Sequence, residues 1–251
     1  MSAAPAGDPA SPVDAPATHA ATVTLDVWRL RRRDAARAMV NTPLWGRRVA
    51  HGGGVGFAKL LGTGGRSFAA VDADLTRWVT LTVWDSPVAG PPAPPAFARD
   101  AVDHWGARLA PLTSRGSWAG RTPFAAPGRA AAATWPGEVL ALTRARLTPR
   151  RAAAFWRAVP PVAASLPTAA GLLATMAVGE APVGYQGTLS LWRDSTAVAA
   201  FAWRDPAHRA VVDRTPRARW YAEELFARFA VVERTGPVTL WDDKVRPGRS
   251  T

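Results

Sequence analysis

The chain contains no cysteine, which excludes disulfides, thiolate nucleophiles, thiolate metal ligands and iron–sulfur clusters. Lysine is nearly as scarce. Only Lys59 and Lys244 occur, so almost all of the formal charge of +12 is arginine. The arginines are spread along the chain, with Arg31-Arg32-Arg33 the one triple, and together with abundant Ala, Gly and Pro they read as the composition of a GC-rich genome. A nucleic-acid footprint would cluster them on one patch or stripe, so nucleic acid is not expected as a partner. Attraction to an anionic lipid surface stays open. No apolar run approaches the roughly 18–20 residues that span a bilayer. Residues 2–21 are Ala- and Pro-rich but lack the basic start and apolar centre of a signal peptide. The expectation is a disordered leader on a cytoplasmic protein that at most touches a membrane from one side.

What is present is a motif stated twice. Thr80-Leu81-Thr82-Val83-Trp84-Asp85-Ser86 returns as Thr188-Leu189-Ser190-Leu191-Trp192-Arg193-Asp194-Ser195, with the tryptophans 108 positions apart. Each copy alternates small polar and aliphatic residues up to the Trp and breaks at Asp/Ser, the pattern of a half-buried strand running into a helix cap. A period of this length suits a duplicated small domain rather than a solenoid.

Reading outward from each copy predicts the same order of elements. In the first half, strands are expected at 22–30, 57–61, 78–84 and 112–118, with helices at 34–45 and 97–108. In the second, strands at 138–147, 172–178, 187–192 and 227–234 alternate with a helix beginning at Pro149 and another from Ser195 that resumes through His208. Each half is then β-α-β-β-α-β, the ferredoxin-like pattern. The predicted organisation is a leader (1–21), a first repeat (22–125), a second repeat (137–241) and a flexible tail (242–251). One such sheet leaves a face bare, so the repeats are expected to cover each other sheet to sheet, with an apolar ligand between them. The glycine loop 52–56 lacks the Lys-Ser/Thr ending of a phosphate loop and reads as a turn.

Four histidines limit the chemistry. His19 lies in the leader, and His51 adjoins the glycine loop. His104 is expected on the second helix of the first half. His208 is expected on the matching helical region of the second half, with Val211, Val212 and Thr215 at i+3, i+4 and i+7, which turns its imidazole toward the sheet. A lone histidine on an apolar helical face is more often packed core than a ligand. No His-Glu-x-x-His or other metal-spaced cluster occurs, which argues against a zinc or non-haem iron site. Haem asks for less: one histidine, apolar and aromatic walls and a few arginines. Glu223-Glu224 are adjacent and should point opposite ways, so they do not make an acid–base pair. Glu180 stands at a strand end, where it could orient water or substrate, although a turn-capping role is the commoner one. Twelve tryptophans are mostly expected in the core; an excess around one cavity would suit a flat or extended apolar ligand.

Several segments together resemble the spheroidene monooxygenase family: Arg115-Gly116-Ser117-Trp118-Ala119-Gly120-Arg121-Thr122-Pro123-Phe124, Ala141-Leu142-Thr143-Arg144-Ala145-Arg146-Leu147, Pro149-Arg150, Phe155-Trp156, Gly179-Glu180-Ala181-Pro182, the second Trp strand, and Trp220 with Glu223-Glu224-Leu225-Phe226-Ala227-Arg228-Phe229. The likeness covers roughly 22–240 and is strongest in the second half. It implies a dimeric-α/β-barrel-like fold made of two ferredoxin-like units, one b-type haem, and oxygenation of the C2 end of an acyclic carotenoid with O2 and electrons from a ferredoxin or reductase. His208 falls where the family keeps a histidine, which makes it the expected axial ligand. Gln186 also matches, and with Glu180 and Arg144 it is a candidate polar group beside the reacting oxygen. His104 has no counterpart. The leader and the proline-rich loop 87–95 are departures that bear on access and partners.

Two other classes stay open. A haem or lipid carrier without turnover would use the same pocket and the same histidine. An RNA-binding sheet would show a basic residue, Gly and alternating aromatics on its third strand, and Val79 to Trp84 does not.

Overall fold

The computed structural model describes residues 22–50, 53–64, 73–87, 95–126, 128–148, 150, 166–180, 187–204 and 221–241. Eight strands are formed: β1 (Val23–Arg29), β2 (Val55–Gly64), β3 (Ala73–Trp84), β4 (Asp103–Gly116), β5 (Val139–Leu147), β6 (Leu172–Gly179), β7 (Gly187–Trp192) and β8 (Tyr221–Thr235). They close into one barrel in the order β1-β3-β2-β6-β7-β5-β8-β4, with every ladder antiparallel. Within each half the order is fourth-first-third-second, the ferredoxin-like arrangement. The doubled motif occupies the third strand of each half, β3 and β7.

Alternation explains the interior. Val23, Leu25 and Val27 of β1, Trp105, Ala107 and Leu109 of β4, Leu140 and Leu142 of β5 and Leu225, Ala227 and Phe229 of β8 share the period of two that sends one face inward, and they form one core. An eight-stranded barrel is just wide enough for side chains to fill it. The halves therefore meet differently from the expected stacking of two separate sheets. Their edges pair, β2 with β6 and β4 with β8, so no open edge remains at either junction.

The outward faces carry the helices. Trp28, Leu60 and Trp78 pack with Ala38 of α1 (Ala35–Ala50) and with Phe97. Val139, Trp192 and Ala230 pack with Ala132 of α2 (Arg129–Thr134) and with Ala197 and Val198 of α3 (Ser195–Arg204). The predicted cap is present in the second copy, where Asp194 accepts the N–H of Ala197 at 2.7 Å. In the first copy Asp85, Ser86 and Pro87 are not helical, and 88–94 lie outside the described residues.

One predicted helix is replaced. Residues 97–108 do not form a helix: a short helical turn, Ala96–Asp100, gives way to β4 at Asp103. Trp105, Ala107 and Leu109 alternate into the core, and pairing to both β1 and β8 outweighs the local helical spacing. His104 is thus a strand residue, and Trp118 lies beyond the strand rather than at its end.

The barrel is stoppered near the start of β4. The helical turn Val238–Trp241 buries Leu240 and Trp241, and Trp241 meets Trp105 edge to face with ring centres 4.8 Å apart. Arg77, fully buried on β3, holds it: Nη1 donates to the carbonyls of Leu240 and Trp241 at 3.1 and 3.0 Å, and Nε donates to Thr63 Oγ1.

Candidate functional site

Past the opposite end of β4, two charged side chains continue the inward-facing rows. Arg144 follows Leu140 and Leu142 on β5, and Glu223 precedes Leu225 and Ala227 on β8. Their side chains are only 5% and 8% exposed, and they form an ion pair through Nη1 and Oε2. The register that pairs Arg144 with Leu225 and Arg146 with Glu223 sets the two on a diagonal. Glu224, pointing the other way, lies near Arg115 at the surface.

Glu223 has further donors. Ser117 Oγ donates to its Oε1 at 3.1 Å, and the Gly120 N–H donates to the same oxygen at 2.8 Å. Burial alone would raise its pKa. The Gly120 amide, the Arg144 hydrogen bond, the Ala119 amide and the Arg144 charge together outweigh burial and hold the carboxyl at about 2.

Glu180 joins from the end of β6. Its Oε1 accepts from Arg144 Nη2 at 2.9 Å and Nε at 3.2 Å and from the indole N–H of Trp118, while Lys59 Nζ is 3.6 Å from Oε2. Its carboxylate is thus engaged across the barrel mouth. Two of the site residues picked from the sequence, Arg144 and Glu180, are therefore in contact. Gln186 and His208 lie outside the described residues, as do His19, His51 and the segment 151–165. Glu223 and Trp118 were missed as site residues. The signal for Glu223 was its parity with Leu225, Ala227 and Phe229, legible only if the last strand begins near 221 instead of 227.

Beside this cluster is a small cleft, partly open to solvent and with room for about one water, lined by Leu61, Trp118, Leu142, Arg144, Val178, Gly179, Glu180 and Gly187. Its walls are apolar, and its polar end is the Arg144–Glu180 pair. It sets apolar side chains beside a fixed cation and a fixed carboxylate.

In sequence, the chain is 30% identical over 188 residues to the spheroidene monooxygenase of Rhodobacter capsulatus, covering 72% of this chain and 78% of that one. The chain belongs to the spheroidene monooxygenase family. A second member, from Rubrivivax gelatinosus, is 31% identical over 183 residues, 70% of this chain and 68% of the other. Membership makes this chain an oxidoreductase of the monooxygenase class. No protein-family model matches it. Solved structures overlay loosely: an anthrone oxidase-like protein at 14% identity covers 85% of this chain and 92% of its own with a TM-score of 0.31, and a heme-degrading enzyme from Listeria monocytogenes at 12% identity covers 81% and 98% with a TM-score of 0.28. Overlaps this loose have no bearing on the chemistry of this chain.

Haem is the group the family resemblance implies, and the described residues do not by themselves fit it. The cleft has room for about one water, far below the roughly 300–1,000 Å³ of pockets that enclose a drug-sized ligand. The one histidine among the described residues, His104, is engaged: its Nε2 is 2.9 Å from Oδ1 of buried Asp26, and its ring stacks on Trp28 at 4.1 Å. Burial raises the pKa of Asp26, and the hydrogen bond and charge of His104 only partly counter it. Gly106 makes the approach feasible, because a Cβ there would sit 2.8 Å from Asp26 Oδ1 and 2.9 Å from His104 Cε1. Among the described residues no group of three His, Asp or Glu side chains could hold a metal ion. Among them, too, no helix is long and apolar enough to cross a membrane.

Proposed function

We propose that this family member is a haem-dependent monooxygenase that oxygenates the end of an apolar polyene, an acyclic carotenoid such as the one its relatives are named for. The observation that carries the reading is membership of the family, and the barrel mouth supports it by setting the Arg144–Glu180 pair beside apolar Leu61, Leu142 and Val178. The net reaction consumes R–H, O2, two electrons and two protons and yields R–OH and water. The electrons come from a separate ferredoxin or reductase.

Haem would supply the activation of O2, and His208 is the residue proposed to hold it. The engagement of His104 with Asp26 supports that choice over His104. The chain's own part at the cleft is to exclude water from the apolar end and to fix a polar edge. Arg144 orients Glu180, and the Glu180 carboxylate accepts a hydrogen bond from the hydroxyl formed. Gln186 is proposed as a further polar contact.

The two halves are read as fused copies forming an internal pseudo-dimer, supported by the matched outward placement of Trp84 and Trp192 on β3 and β7. Exposed Arg31, Arg32 and Arg33, with exposed Val40 a few positions on in the chain, support peripheral contact with an anionic membrane surface by a cytoplasmic protein, where an apolar substrate would be met.

The test is an absorption spectrum of protein expressed with haem available, followed by oxygen-dependent conversion of an acyclic polyene with a ferredoxin and its reductase. A Soret band in the wild type that is lost in His208→Ala supports the reading. A band unchanged in that variant removes His208. Absence of haem uptake removes the oxygenase mechanism, and haem uptake without conversion leaves a carrier.

A further inference from the structure

We propose that the arginines on the rim of the barrel mouth, Arg115, Arg121 and Arg146, form the surface on which an acidic electron-donor protein docks. The identity of the partner rests on the preceding reading; the surface itself rests on placement and charge.

The three arginines come from separate stretches of chain and meet around the start of β8. Near the end of β4, Arg115 stands opposite Phe226, and near the end of β5, Arg146 stands opposite Glu223. Arg121 follows Gly120, whose N–H donates to Glu223 Oε1 at 2.8 Å, while Arg146 Nε is 3.9 Å from the other oxygen of that carboxylate. On the far side, Arg121 and Lys59 share the Phe57 ring, 5.8 and 5.5 Å from its centre. All of them lie around the buried Arg144–Glu223 pair.

An exposed arginine that is neutralised where it stands offers a partner little. Elsewhere on the barrel Arg108 is bonded to Glu233, Arg234 to both oxygens of Glu138, and Arg37 to Asp100. The rim differs. Arg115, 74% exposed, comes no closer to Glu224 than 3.7 Å, and Arg146 is 57% exposed at its 3.9 Å from Glu223, both beyond hydrogen-bond length. Exposed Arg121 has no ion-pair partner among the described residues.

Two of these side chains are nonetheless seated. The Arg115 guanidinium lies 4.9 Å from the centre of the Phe226 ring, and that of Arg121 lies over Phe57. Arg121 also closes a tight turn with Trp118, which Glu223 holds through the Gly120 amide. A guanidinium already seated on a ring loses less freedom when a partner binds it. Exposed Arg31, Arg32 and Arg33 have no ring beneath them among the described residues.

The occupant follows from charge and from what the rim lacks. Guanidinium forks match carboxylates, and a basic surface steers and orients an acidic protein. A membrane contact would bury apolar side chains among the lipids, yet none of the exposed large apolar residues belongs to the four segments that form the rim. The monooxygenase reaction draws its electrons from a donor protein, and a donor docked here meets the mouth where Arg144 and Glu180 lie.

The test is calorimetric titration of the full chain with an acidic [2Fe–2S] ferredoxin at low ionic strength, which needs no turnover. The triple variant Arg115→Gln, Arg121→Gln, Arg146→Gln removes charge without setting a new carboxylate beside Glu223 or Glu224. It is expected to weaken binding about tenfold or more, as is raising salt to about 0.3 M with the wild type. The control triple Arg31→Gln, Arg32→Gln, Arg33→Gln removes as much charge just past Arg29, which pairs with the opposite end of β4, and is expected to stay within about threefold. Arg121→Gln alone, expected to weaken binding about threefold, serves if the rim triple does not fold.

No binding to the wild type, no weakening in the rim triple, or equal weakening in both triples overturns the docking surface. So does a rim triple that loses binding to phosphatidylserine vesicles while keeping its affinity for ferredoxin, which would make the rim a membrane contact. In turnover, the rim triple should raise KM for ferredoxin and leave kcat unchanged. If ferredoxin binds through the rim but no polyene is converted, the substrate reading fails and the docking surface stands. If conversion persists with KM unchanged in the rim triple, the docking surface fails and the oxygenase reading stands.

Discussion

Arg144 and Glu223, 79 positions apart in the chain, form a buried ion pair diagonally across the β5–β8 ladder, and everything else at the barrel mouth is arranged on it. Arg144 reaches on to Glu180, and Glu223 reaches on to the turn that carries Trp118. Two strand-end charges that would be costly to bury singly are satisfied by each other and by backbone amides.

The Glu223 carboxyl, ordinarily near 4.5 and held at about 2 in the fold, ties stability to acid. Its folded pKa is depressed, so the unfolded chain binds the proton more readily, and the stabilisation is full above about 4.5 and drains away as pH falls toward 2. Glu223→Gln should flatten this acid limb. Thermal melts of both proteins between pH 2.5 and 6 check it, with the difference in Tm expected to shrink as pH falls.

Asp26 titrates with the opposite sign. Burial raises its folded pKa above 3.8, against the partial pull of His104, so the folded state holds the proton more tightly and stability declines as pH rises through the window just above 3.8. Asp26→Asn removes that decline and keeps an oxygen for the imidazole. Relative to wild type, the variant should gain Tm as pH rises from 3.5 through that window.

The tight turn from Trp118 to Arg121, closed by the Trp118 N–H on the Arg121 carbonyl at 2.8 Å with φ of 54° at Ala119 and 71° at Gly120, offers with the neighbouring Gly116 a pair of substitutions that should act in opposite directions. Ala119→Gly relieves a left-handed alanine and should stabilise by about 0.5–1 kcal/mol. Gly116→Ala should cost more than about 2 kcal/mol, since Gly116 has φ of 94° and an added Cβ would lie 2.0 Å from the Glu224 carbonyl oxygen. Urea melts decide both signs.

Arg77 should matter to stability and little to the cleft. Arg77→Leu removes the donor to the Leu240 and Trp241 carbonyls and loosens the stopper, at a cost of about 3 kcal/mol. Amide exchange of the stopper should accelerate while the Ala119 and Gly120 amides keep their protection. Equal loosening at both ends would show that the barrel does not separate them.

Strand alternation in Thr22 to Leu30 and Thr188 to Trp192 was enough to place β1 and β7, and the doubled Trp motif was enough to anticipate two halves of like topology. Such features are local: a period of two is a property of consecutive residues. The absence of cysteine likewise removed whole classes of chemistry without any structure. The stretch around His104 reads as a helix from the order of elements alone, and only the neighbouring strands on both sides make it β4. Arg144 and Glu180 could be picked out singly, but their union with Glu223 and Trp118 depends on the β5–β8 register and on a turn conformation that alanine does not favour by itself. What the chain carries in its own order is the alternation, the cap at Asp194 and the materials of the site. Closure of the barrel, by pairing edges far apart in sequence, is what turned inward-facing strand ends into one charged cluster bonded to a buried tryptophan, because only a closed register brings charges from distant strands within hydrogen-bonding reach.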